Sequence, residues 1–158
     1  MTANAAFFYH PDGYNTDGAR LMGRQVAGEA YLSAFLRHGD VDTVYAFAAS
    51  EAHFKDFRTR ASQLGAPDGL RMGWISHADP RGLAEPGCLF VPGPGLEQQV
   101  WQRRAIGARR YSVCGITHTT ASPAIMDSIG NLLVCRQRPW DRLRGLHNGG
   151  FLVHRRDP

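Results

Sequence analysis

Four consecutive residues could do chemistry on a small polar ligand: Thr117, His118, Thr119 and Thr120. Hydroxyls donate and accept hydrogen bonds, and an imidazole also moves a proton near neutral pH. The four follow the run Tyr111 to Ile116 (Y-S-V-C-G-I), which reads as a buried strand. They precede Ser122-Pro123, a helix N-cap and the residue type that fits the first helical position. A polar turn between the carboxyl end of a strand and a helix is where open α/β sheets bind ligands. His118 is therefore the foremost candidate to bond a sugar hydroxyl or a phosphate, or to transfer a proton. A lone loop histidine is more often structural, and these residues alone leave both readings open.

A second candidate is the loop Pro11 to Gly18 (P-D-G-Y-N-T-D-G). Gly13 and Gly18 let backbone come close to a ligand, and a helix start after them favours an anion. The spacing is not G-x-G-x-x-G, so a dinucleotide is not supported. Two turn glycines in a surface loop account for the pattern equally well. Pro92-Gly93-Pro94-Gly95 could shape one wall of a crevice, but a stiff turn is the simpler reading. The other histidines (His10, His38, His53, His77, His147, His154) show no metal-ligand spacing, so no metal is expected. Cys88, Cys114 and Cys135 form no C-x-x-C pair. Cys88 and Cys114 sit in apolar strands and read as small buried hydrophobes. There is no G-x-S-x-G elbow and no P-loop lysine motif.

The elements that would position these residues alternate. Apolar runs predict strands at 5–9, 41–48, 70–75, 87–91 and 111–116. Helical spacing predicts helices at 19–37, 51–64, 96–106 and 123–133, with one helical turn at 80–84. In the first helix the stripe Met22, Val26, Ala30 and Ala34 is spaced by four and flanked by Ala27, Tyr31 and Phe35. Asp17 would cap this helix or lie just before it, and Gly23 and Gly28 would mark close packing. Ser50 would cap the second helix, whose face is Phe54, Phe57, Ala61 and Leu64. Short connections and buried strands argue for a single Rossmann-like α/β domain, a mostly parallel sheet with helices on both faces. That domain would span 1–141. The Arg- and Gly-rich residues 142–158 offer only a weak strand at 150–154 and are expected to be irregular or poorly ordered.

The 158 residues suffice for one core. The charge of +4 comes almost wholly from arginine, since Lys55 is the one lysine. The basic residues are scattered and match no nucleic-acid motif, so no nucleic-acid partner is expected. No run approaches the roughly 18 apolar residues of a membrane span. The first residues lack a signal-peptide pattern, so a cytoplasmic location is expected.

Four segments carry a likeness to a known family. They are F-F-Y-H-P-D-G-Y-N-T-D-G-A-R-L-M-G-R (Phe7 to Arg24), L-F-V-P-G-P-G-L (Leu89 to Leu96), Y-S-V-C-G-I-T-H-T-T-A-S (Tyr111 to Ser122) and Q-R-P-W-D (Gln137 to Asp141). Over about residues 5 to 141 the chain resembles the N-terminal domain of a family 4 (group 1) glycosyltransferase of the two-domain GT-B architecture. The resemblance implies sugar transfer from a nucleotide-sugar donor to an acceptor, with retention of configuration and without metal or cofactor. It implies that this domain mainly holds the acceptor. Asp17, Gly18 and Arg20 would border the donor phosphates. His118 would lie beside the donor sugar and stabilise it at the transition state, with Thr117, Thr119 and Thr120 lining the same turn.

The chain departs from the family after Asp141. Neither the basic pair nor the E-x7-E motif of a donor-binding domain follows. The expectation is a truncated enzyme, inactive alone, in which a frameshift has replaced the family's continuation. Two alternatives are a non-enzymatic Rossmann-like binding module and one half of a split glycosyltransferase. A face left without its donor domain would favour self-association.

Overall fold

The computed structural model describes residues 4–17, 22–117, 122–132, 134, 135, 138 and 141–145. The elements run β1 (Asn4–Tyr9), a 3-10 turn (Pro11–Gly13), α1 (Gly23–His38), β2 (Thr43–Ala48), α2 (Glu51–Gln63) and β3 (Arg71–Ser76). A second 3-10 turn (Pro80–Ala84), β4 (Cys88–Val91), α3 (Glu97–Ile106), β5 (Ser112–Thr117), α4 (Pro123–Asn131) and β6 (Arg142–Gly145) follow. The strands form one sheet in the order β3-β2-β1-β4-β5-β6, and every pairing is parallel. This is a Rossmann-like α/β domain. Its strand order reverses direction between β1 and β4.

Alternation along each strand supplies two cores. On one face Phe7 and Tyr9 of β1, with Val44, Ala46 and Ala48 of β2, pack with Leu32 and Leu36 of α1 and Phe57 and Ala61 of α2. On the other face Ala6, Phe47, Leu89, Val91 and Val113 pack with Leu83, Leu96, Val100 and Leu132. Helices therefore cover both faces, and the strands are apolar on both sides, as parallel sheets require.

Three expectations need correction. The stripe Met22, Val26, Ala30 and Ala34 faces solvent, with Met22 and Val26 among the exposed apolar residues. The buried line of α1 is Gly28, Leu32 and Leu36, flanked by Ala27, Tyr31 and Phe35. Two leucines and two aromatics offer more apolar area than two alanines, and that area decides which face turns inward. Asp17 does not cap α1. The helix begins at Gly23 with Met22 as N-cap, and the Met22 N–H donates to Gln25 Oε1 at 2.9 Å. Residues 142–145, at the head of the segment expected to be irregular, form β6 beside β5. The expected strand at 150–154 lies outside the described residues.

The other caps agree with the reading of the sequence. Ser50 Oγ accepts from the His53 N–H, and Ser122 Oγ accepts from the Ile125 N–H, each at 3.3 Å. Gly28 does mark close packing, because a Cβ there would collide with the Gly13 carbonyl oxygen. Among the described residues nothing lies within 4 Å of where a Gly23 Cβ would stand.

Candidate functional site

The carboxyl ends of β1, β4 and β5 are neighbours, so the loops that follow them share one rim. After β1 the chain turns tightly: the Gly13 N–H donates to the His10 carbonyl at 2.9 Å and Tyr14 N–H to the Pro11 carbonyl at 3.0 Å. Pro92 lies across the switch point, with its Cγ 3.7 Å from where a Gly13 Cβ would stand. The Pro92–Gly95 loop then folds down onto β5. A Cβ on Gly115 would come within 2.6 Å of the Gly93 carbonyl oxygen. Beyond it, Ser128 Oγ of α4 donates to Glu97 Oε1 of α3 at 3.2 Å, and Glu97 Oε2 is buried without a hydrogen-bond partner among the described residues.

The candidate residues divide. Thr117 is the last residue of β5 and sits on this rim. Asp17 lies in the loop after β1, and its carboxylate is taken by Arg60 of α2 at 2.8 Å. Arg60 also donates to Asn15 Oδ1 at 3.0 Å and pairs with Glu29 at 3.4 Å, while Thr16 Oγ1 donates to Glu29 at 2.9 Å. Asp17 therefore ties the loop to α2. Gly18, Arg20, His118, Thr119 and Thr120 lie outside the described residues.

Below the loop, Tyr9 and Tyr14 stack at 4.9 Å. The Tyr9 hydroxyl donates to Asp56 Oδ2 at 2.5 Å, and Tyr14 donates to the Phe8 carbonyl at 2.9 Å. Burial first, then the Asp56 carboxylate, lifts the Tyr9 phenol far above its ordinary range. Burial does the same to Tyr14. Both are structural supports that stay protonated.

Three features escaped the sequence. His10 and His53 lie far apart in the chain and meet edge to face with ring centroids 4.8 Å apart; only the topology brings them together. Arg103 is buried in α3, where it pairs with Asp141. Its place was legible, because it falls on the Leu96–Val100 stripe and an arginine there needs a partner. Arg60 carried no such signal.

No group of three His, Cys, Asp or Glu side chains among the described residues is placed to hold a metal ion. The Cys88 and Cys114 side chains are half-buried and Cys135 is buried. Burial raises the Cys88 and Cys135 thiols, which keeps them protonated at neutral pH. A concavity of 660 Å³ lies away from the rim, between the outer face of α2 and β3, lined by Lys55, Arg58, Thr59, Ser62, Leu70 and Met72. It is open, and Thr59 and Ser62 donate to carbonyls of their own helix. Among the described residues no helix is long and apolar enough to cross a membrane. No protein-family model matches the chain, and no curated protein matches it.

Proposed function

We propose that this domain is the acceptor-side half of a GT-B type glycosyl transfer, retaining and metal-independent, from a nucleotide-sugar donor. One observation carries the reading. Three of the four segments that resemble the glycosyltransferase family run across the carboxyl termini of β1, β4 and β5, which are adjacent. Segments far apart in sequence thus meet on the rim where a donor would be held. The fourth segment ends in Asp141, which acts in the core, away from this rim.

In this reading the residues act as follows. Gly13 and the Pro92–Gly95 loop form a stiff floor at the switch point. Asp17, held by Arg60, fixes the path of the loop that leads to Gly18 and Arg20, which approach the donor phosphates. His118 directly follows the end of β5. It bonds the donor sugar and stabilises the charge that develops as the bond to the leaving nucleotide breaks. Thr117, Thr119 and Thr120 supply further hydroxyl contacts. A donor-binding domain would supply the opposite wall of such a cleft.

Calorimetry with a panel of nucleotide sugars tests this, paired with a transfer assay run with and without a donor-binding domain added in trans. The expected result is weak donor binding by the chain alone and turnover only with the added domain. His118→Ala should lower that turnover by about 100-fold or more. Binding without turnover in either condition would assign the chain as a binding module. Neither binding nor turnover would overturn the proposal.

A further inference from the structure

The sheet ends on β3, and among the described residues nothing pairs with its outer side. Each residue of a strand turns its N–H and C=O to one side, and the side alternates along the chain. The Arg71 N–H donates to the Asp42 carbonyl at 3.3 Å and the His77 N–H to the Ala48 carbonyl at 3.1 Å, so the odd-numbered residues of β3 face β2. The backbone groups of Met72 and Trp74 therefore point out of the sheet. Proteins guard such an edge with proline, with charges or with a covering element. The six residues Arg71–Ser76 include no proline and one charge, at the first position. We propose that β3 is a docking edge that takes an acidic, extended segment of a partner protein as an added strand. The proposal is independent of the glycosyl-transfer reading, since no residue of β3 or α2 is assigned to the donor.

The surface beside this edge selects the partner. Met72 packs against the core under α2, and Trp74 stacks on Phe54 of α2 at 6.4 Å, so both side chains lie on the α2 face of the sheet. Trp74 is 41% exposed, yet its indole N–H is held by the Ala48 carbonyl at 3.1 Å. An aromatic surface fixed in advance loses little entropy when a partner covers it. The 660 Å³ concavity between α2 and β3 shares Met72 with the edge, and its lining holds Lys55 and Arg58 and no carboxylate. Among the described residues Arg58 has no ion-pair partner. The acids of α2 are engaged elsewhere: Glu51 pairs with Lys55 at 3.2 Å and Asp56 accepts from the Tyr9 hydroxyl. Asp68 borders a different concavity, at the amino ends of the strands. Every second side chain of an added strand turns to the α2 face. There an apolar one meets Met72 and Trp74, and a carboxylate reaches Arg58. A second copy fits less well. Two-fold pairing of β3 with itself sets both α2 helices on one face and brings Arg58 toward its own copy, and like charges oppose that approach.

Peptide titration of the full chain, read by NMR and amide hydrogen exchange, tests the proposal. The probe is a set of peptides of about ten residues built from valine, threonine and glutamate in varied order. Each has a counterpart with lysine for glutamate and another N-methylated at every second amide, which cannot complete a strand ladder. Glutamate peptides should bind, slow exchange at the Met72 and Trp74 amides, and leave the amides of residues 13–17 unmoved. The lysine counterparts should bind at least about tenfold more weakly, and the N-methylated ones should not bind. Arg58→Glu should weaken the glutamate peptides about tenfold and favour the lysine counterparts. Trp74→Ala should weaken the glutamate peptides by about the same factor. The N-methylated peptides keep the test decisive if that variant does not fold. Equal binding of the lysine or the N-methylated counterparts, or no binding by any peptide of the set, would overturn the proposal. Exchange at Met72 and Trp74 that slows as the chain alone is concentrated would give the edge to a second copy and overturn the assignment of the partner.

Discussion

Two arginine–carboxylate clamps hold this domain, and they work in opposite surroundings. Arg103 and Asp141 are both buried. Asp141 takes two bonds from the Arg103 guanidinium and one each from the Val113 N–H at 2.8 Å and the Arg138 N–H at 2.9 Å, while Arg103 also donates to the Tyr111 carbonyl at 3.0 Å. Both terminal nitrogens of Arg103 and both oxygens of Asp141 are bonded, so α3, the start of β5 and the approach to β6 are locked together. Arg60 and Asp17 meet in the loop after β1, where the Asp17 side chain is 74% exposed and the Arg60 side chain 14%. Water competes for that pair and screens it. The same two residue types thus give a rigid joint at one end and an adjustable tether at the other. A ligand-binding rim is better served by the tether.

The largest expected effect follows from breaking the buried clamp. Asp141→Ala leaves a buried guanidinium without its counter-ion and should cost about 3–5 kcal/mol of stability in denaturant titrations. Replacing both partners, as Arg103→Met with Asp141→Leu, should recover most of the loss. A recovery no better than the single variant would mean that the pair holds a specific geometry rather than merely satisfying charge. Next comes Gly28→Ala, which drives a methyl group into the Gly13 carbonyl oxygen and should cost about 1–3 kcal/mol while displacing the loop after β1. Unchanged amide shifts at residues 13–17 would contradict that coupling.

A smaller effect accompanies acidification. His77 has a lowered pKa in the fold, so its contribution to stability is whole above its unfolded value of 6.5 and is lost as pH falls below that, through the folded value. His77→Gln should flatten this part of the stability profile. The least effect belongs to the rim. Arg60→Ala should change stability by about 1 kcal/mol or less, yet hasten proteolysis within residues 15–17. A large stability loss would erase the contrast between the two clamps.

Much of the fold was legible because local signals agreed with one another. Apolar runs, Ser50 and Ser122 as caps, and the Pro92–Gly95 turn put most element ends within a residue or two of those observed. What failed was decided by tertiary contact. The four-residue spacing of Met22, Val26, Ala30 and Ala34 is genuine, but the neighbouring face carries the larger side chains and Gly28, which α1 needs to approach the turn. Residues 142–145 lack an apolar run, and pairing with β5 next to the anchored Asp141 makes them a strand. Of the candidate site, the rim itself was readable from strand ends. Asp17 was not, since its partner Arg60 is distant in the chain. The His10–His53 contact was not either, because imidazoles brought together by a parallel sheet have no characteristic spacing.

The central claim is that the carboxyl edge at β1, β4 and β5 is the functional face of this domain. Amide chemical-shift mapping of the full chain, titrated with uridine, guanosine and adenosine diphosphate sugars, tests it most directly. The account predicts that at least one donor moves the amides of Gly13 to Asp17, Gly93, Gly95 and Thr117 together, and leaves the Lys55, Arg58 and Met72 concavity still. Shifts centred on that concavity, or no shifts with any donor, would contradict it.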